Sequence, residues 1–140
     1  MPIIFPIDKI SIESWKAYKG KYPPGSEKEH RIIIICKKEN VLKYFYVSSQ
    51  VDKARARAVY DKTSFVFMKK NDWDELDRES YVQCTPKHLK EVNEDEFKKS
   101  YLSGDVKILG EVPEGIKRAI IHAICSSRFF SEKEKKEYTE

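Results

Sequence analysis

The chain has 140 residues and a mass of 16.5 kDa, a length that predicts one domain with a single core. Hydrophobic residues make up 40% and charged residues 36%, which is too apolar for a disordered chain and too charged for a membrane-embedded one. The formal charge of +4 and the pI of 8.8 are mild, so total charge alone does not identify nucleic acid as a partner.

The longest apolar run, Ile32 to Cys36, falls far short of the roughly 20 residues that cross a bilayer. The N-terminus lacks the basic flank and apolar stretch of a signal peptide, so a cytoplasmic protein is expected, with no membrane partner. Cys36, Cys84 and Cys125 are far apart, odd in number and set in apolar segments. That pattern predicts reduced, buried thiols rather than a disulfide framework or a zinc site.

Along the chain, residues 1–22 read as an N-terminal arm. Pro2 and Pro6 make its beginning extended and edge-like, and Ser11 to Lys19, with Trp15 and Tyr18, suggests one or two helical turns. Pro23, Pro24 and Gly25 mark a loop. Arg31 to Lys37 is a β-branched run bounded by charge, as in a strand buried on both faces. Glu39 and Asn40 turn the chain into Val41 to Ser48, so the two strands form a hairpin. The polar stretch from Ser49 to Lys62 reads as a long functional loop.

Thr63 to Met68 and Ser80 to Cys84 are the next predicted strands, separated by a turn with Trp73 and Leu76, and Pro86 to Val92 is a fifth strand or an extended connection. Asn93, Asp95 and Glu96 open a capped helix that Gly104 ends, and a short run from Val106 to Leu109 follows. From Glu114 to Ser127 the apolar residues Ile116, Ala119, Ile120, Ala123 and Ile124 recur at helical spacing. Residues 131–140 form a charged tail expected to fray. Short strands followed by helices predict an α+β fold, the strands coiling into a small twisted antiparallel barrel with a C-terminal helix.

The order Pro23-Pro24-Gly25-Ser26-Glu27, then His30-Arg31 leading into an apolar strand, resembles the PemK/MazF-like toxin endoribonucleases. Tyr46-Val47-Ser48-Ser49-Gln50 is similar to the family's next strand, Ser80 to Cys84 to a later one, and Ile116 to Ser126 to its C-terminal helix. The likeness runs from Pro23 onward, with Arg31-Ile32 where the family usually has Arg-Pro and Ser48-Ser49 where it has Thr-Ser. The resemblance implies an SH3-like barrel, a homodimer, an antitoxin partner and metal-independent cleavage of single-stranded RNA, with no cofactor.

Such cleavage requires a base for the 2′-hydroxyl, charge stabilisation at the phosphate and protonation of the leaving oxygen. The resemblance assigns Arg31 to the phosphate, where a guanidinium offers a bidentate fork, and puts Ser48, supported by Ser49, in place of the Thr-Ser pair. His30 is the nearest imidazole in sequence and a candidate base, although neighbours on a strand point to opposite faces. Lys53, Arg55 and Arg57 alternate with alanines. In an extended loop they would line one side and track a phosphate backbone, whereas in a helix they would spread around it. Tyr60 or Tyr46 would supply base stacking. For Arg31 the plain alternative is a solvated strand-end charge; for the serines it is a strand ending in turn formers. Two other functions stay open: a non-catalytic binding module for nucleic acid or protein, and, as relatives of this fold imply, a topoisomerase-inhibiting toxin.

Overall fold

The computed structural model describes residues 11–139. The chain runs β1 (Lys16–Gly20), β2 (His30–Lys38), β3 (Val41–Val47), α1 (Val51–Ala58), β4 (Phe65–Met68), β5 (Ser80–Gln83), β6 (Lys90–Asn93), α2 (Glu94–Ser103), β7 (Val106–Glu111), α3 (Glu114–Ser126) and α4 (Glu132–Thr139). The fold is α+β. Five strands form an antiparallel sheet in the order β6-β3-β2-β1-β7, and β4 with β5 makes a separate two-stranded hairpin. The hairpin meets the sheet at one bridge, Ser48 to Tyr81, and among the described residues the ladder does not close into a barrel.

The run Ile32–Cys36 is buried throughout because the sheet is covered on both faces. Ile33, Ile35, Ala17 and Phe45 face one core, which also takes Val66, Val82, Trp73, Leu76 and the inner side of α3. Ile32, Ile34, Tyr18, Leu42 and Tyr44 face the other, where Phe97 of α2 covers them. Ile35 and Cys36 both belong to the first core because the register shifts between Ile34 and Cys36, a bulge that sets an extra residue on one strand. At the end of this hairpin Glu39 takes a φ of 57° in the turn.

Several expectations are corrected. The part of the predicted arm before residue 11 lies outside the described residues, but its second half is a strand, not a helical turn. Trp15 adopts a φ of 62°, and its backbone N–H donates to Ile34 while its carbonyl accepts from Val112, which locks the chain into β1. Because Ala17 and Tyr18 are buried in opposite cores, no polar alternation marks this strand. The stretch from Ser49 to Lys62 contains α1, whose Ala54 and Ala58 are buried against Phe65 and Tyr81. The tail is a helix rather than frayed: Tyr138 sits in the first core with its ring centroid 5.9 Å from that of Phe130. Cys36 and Cys84 are buried thiols, but Cys125 is exposed.

The capped helix follows the sequence closely. Asn93 accepts from the Asp95 N–H at 2.9 Å, and Gly104 ends α2 with a φ of 88°. At Gly20 β1 and β7 approach closely, since a Cβ there would collide with the Asp105 carbonyl oxygen and the Val106 Cα. Gly20→Ala is expected to cost about 1–3 kcal/mol as the strands are pushed apart. Urea denaturation checks this, and an unchanged midpoint would mean that β7 yields without cost.

Candidate functional site

Where β2 begins and β3 ends, the chain leaves a cleft of about 500 Å³. It is lined by Lys28, His30, Arg31, Tyr46, Ser48, Ser49, Asp77 and Arg78, among others, so five of the residues singled out in the sequence meet there. The antiparallel pairing accounts for this, because Arg31 stands opposite Val47 and the two strand ends share one rim of the sheet.

Within that rim the side chains divide by the pleat. Arg31 and Val47 share a face, and His30, Tyr46 and Ser48 alternate with them onto the other. The His30 and Tyr46 rings lie 5.2 Å apart on that second face. The cleft therefore wraps around the strand ends, with Arg31 on one side and Ser48 on the other. Ser49 lies beyond the last ladder pair and is exposed.

Arg31 is already engaged. Its Nε donates to the Glu75 carbonyl at 2.8 Å and its Nη2 to Asp77 Oδ2 at 2.9 Å. These bonds tie the strand to the turn that carries Trp73 and Leu76 into the core. The hydrogen bond and charge of Arg31 hold the Asp77 carboxyl below the usual carboxylate range. Asp77 is nonetheless 73% exposed, so an incoming anion can displace it at little cost. Ser48 uses its backbone fully: its N–H donates to the Tyr81 carbonyl at 2.9 Å and its carbonyl accepts from the Tyr81 N–H at 2.7 Å. Its hydroxyl accepts only a long bond, 3.4 Å, from the Gln50 N–H.

The three cations of α1 do not line one side of a loop. Arg55 forms an ion pair with Glu79 and stands over the Phe67 ring, while Arg57 donates to the Tyr81 hydroxyl at 3.0 Å and stands over Phe65. Both arginines fasten α1 to the β4–β5 hairpin, and Lys53 is exposed on the helix. Tyr60 follows α1, 89% exposed, and is not among the residues lining the cleft.

Next to the cleft is a smaller hollow of about 120 Å³, lined by Tyr46, Ser48, Arg57, Tyr81, Gln83, His88 and Lys90. Tyr46 and Ser48 thus form a ridge shared by both spaces. His88 Nδ1 lies 2.7 Å from Thr85 Oγ1. Burial, followed by the charges of Arg57, Lys90 and Lys87, pushes the His88 imidazole below its ordinary pKa. His88 has no potential ligands at metal spacing in the sequence. The available signal was local: Thr85-Pro86-Lys87-His88 puts a hydroxyl three residues before an imidazole, in a turn.

Compared with protein-family models the chain matches none, and no curated protein matches it. Fold and site define a class only: an α+β protein with a doubly covered antiparallel sheet and a polar cleft of mixed charge, with Glu29 and Asp77 beside Lys28, Arg31 and Arg78, at one end of its central hairpin.

Proposed function

We propose that the protein is a metal-independent endoribonuclease acting on single-stranded RNA, the toxin of a type II toxin–antitoxin pair. The observation that carries this reading is the cleft that gathers Arg31, His30, Ser48, Ser49 and Tyr46, the positions the PemK/MazF resemblance marks. The open sheet, joined to the β4–β5 hairpin by the Ser48–Tyr81 bridge, is on this reading a loosened SH3-like barrel. A cytoplasmic homodimer, with an antitoxin segment that competes for the cleft, completes the proposal.

In this scheme Arg31 exchanges Asp77 for the scissile phosphate and stabilises the charge that develops there. Ser48, with a hydroxyl not committed to a strong partner, orients a phosphate oxygen. Tyr46 and His30 offer rings to a base. Lys28 and Arg78 add positive charge at the margin.

The test is incubation of the purified protein with single-stranded RNA in excess EDTA. Cleavage is expected in wild type and is expected to fall by about tenfold or more in Ser48→Ala, roughly the loss of one good hydrogen bond in the transition state. RNA that remains intact with wild-type protein would rule out the nuclease. Two observations favour a second reading, a non-catalytic binding module: the guanidinium assigned to the phosphate is held by Glu75 and Asp77, and the pleat sets it on the face of the strand ends opposite Ser48. Binding of RNA without cleavage would support it.

A further inference from the structure

We infer that His88 is the general base of this site, taking the proton of a ribose 2′-hydroxyl in the hollow beside Ser48; this rests on the nuclease reading above. Neither Arg31, which is permanently charged, nor a plain serine can accept that proton. His30 lines the cleft, but its ring is packed at 5.2 Å against Tyr46. His88 instead lines a separate small hollow whose other wall is the ridge of Tyr46 and Ser48. A strand whose phosphate lies in the main cleft and whose ribose crosses Ser48 brings the 2′-hydroxyl over that hollow.

The surroundings suit the role. The 2.7 Å contact between Nδ1 and Thr85 Oγ1 holds the ring in one orientation, and in the tautomer whose Nδ1–H donates to that hydroxyl the lone pair sits on Nε2. Among the described residues, the charged groups that act on the imidazole are cations: Arg57 from α1, Lys90 from β6 and Lys87 from the same turn. The neighbours from β3 and β5 are Tyr46, Ser48, Tyr81 and Gln83, and no carboxylate is among them. Burial and these cations keep the ring neutral at pH 7 and ready to accept a proton.

The step balances as follows. The 2′-hydroxyl proton passes to His88 Nε2, and the 2′-oxygen electron pair forms a bond to phosphorus. The bond from phosphorus to the 5′-oxygen breaks, the leaving oxygen keeps the electron pair, and it takes a proton from solvent water. The products are a 2′,3′-cyclic phosphate and a 5′-hydroxyl, and the imidazolium later returns its proton to solvent.

The experiment is a pH–rate profile of RNA cleavage in EDTA for wild type, His88→Gln and His88→Ala, with binding measured on a non-cleavable 2′-deoxy oligonucleotide. Wild type is expected to lose activity on acidification, with a midpoint below the ordinary histidine value. In both variants kcat/KM is expected to fall about 10²- to 10⁴-fold, the acid limb is expected to vanish and oligonucleotide binding is expected to stay close to wild type. Added imidazole is expected to restore part of the His88→Ala activity. His88→Gln keeps a polar end against Thr85 and guards against a folding defect, which circular dichroism checks. If both variants cleave with the wild-type profile, His88 is not the base and the nuclease reading stands. If wild type does not cleave, both inferences fall together.

Discussion

Replacing Phe97 by alanine is expected to destabilise the protein by about 3–5 kcal/mol, as deletion of a fully buried aromatic side chain does. The reason lies in how little else holds α2 to the sheet. The buried residues of that helix are Glu94, Phe97, Lys98 and Ser100, so Phe97 is its one buried apolar anchor. Its ring meets Tyr18 edge-on at 5.0 Å and Tyr22 at 5.5 Å, beneath which lie Ile32 and Ile34. Beyond it, the half-buried Tyr101 meets Tyr18 edge-on at 6.1 Å, and the rest of the attachment is ionic. The Glu94 carboxylate receives Lys37 at 2.7 Å and Lys98 at 3.8 Å, and it accepts from the Ile12 N–H at 3.5 Å. A pair of this kind resists being broken but adds little net stability to offset a lost core residue. Urea denaturation is the measurement, with a lower midpoint at an unchanged slope. Phe97→Leu, which refills most of the volume, is expected to cost much less. A Phe97→Ala protein with the wild-type midpoint would mean that α2 does not cover the second core.

The elements that were legible in the sequence are those whose local chemistry has only one good solution. The β-branched run at Ile32–Ile35, the turn at Glu39-Asn40, the Asn93 cap with Gly104 at the far end and the apolar stripe of α3 each occur where they were expected. Two of the misread segments are the charged ones. Lys53-Ala54-Arg55-Ala56-Arg57-Ala58 has a period of two that mimics an extended segment, while the same alanines at 54 and 58 are four apart and form the buried stripe of a helix. Charge was mistaken for solvation in the tail as well, where Tyr138 alone supplies the anchor for α4. The site was half legible. Pairing of the two central strands brings Arg31, Ser48 and Ser49 to one rim, but nothing local announces that Asp77, 46 residues further on, occupies the guanidinium. His88 reaches the ridge through β5 and β6 and cannot be associated with Ser48 without their register.

The Asp77 contact separates two meanings of Arg31, and two substitutions are expected to move RNA binding in opposite directions. Arg31→Ala removes the phosphate fork, and cleavage is expected to fall by about 10²- to 10³-fold, as when a transition-state donor is deleted. It also releases the turn from Glu75, a loss of about 1 kcal/mol that Trp73 and Leu76, still buried, keep from spreading. Asp77→Asn leaves the Glu75 bond in place and removes only the competing carboxylate, so RNA affinity is expected to rise by a factor of about two to five. Acid has the same effect as that substitution. Because Arg31 depresses the Asp77 pKa, the pair is complete above the ordinary carboxylate range and is lost as pH falls through the lowered folded value, freeing the guanidinium only there. Near neutral pH the carboxylate is therefore always a competitor, and an RNA phosphate must displace it. Fluorescence anisotropy with a 2′-deoxy oligonucleotide, at fixed salt, measures the affinity of both variants, expected to be lower than wild type for Arg31→Ala and higher for Asp77→Asn, and cleavage of single-stranded RNA in EDTA measures the activity of Arg31→Ala. If Asp77→Asn weakens binding, or Arg31→Ala cleaves as wild type does, then Arg31 is a clamp for the turn and the phosphate is held elsewhere along the rim.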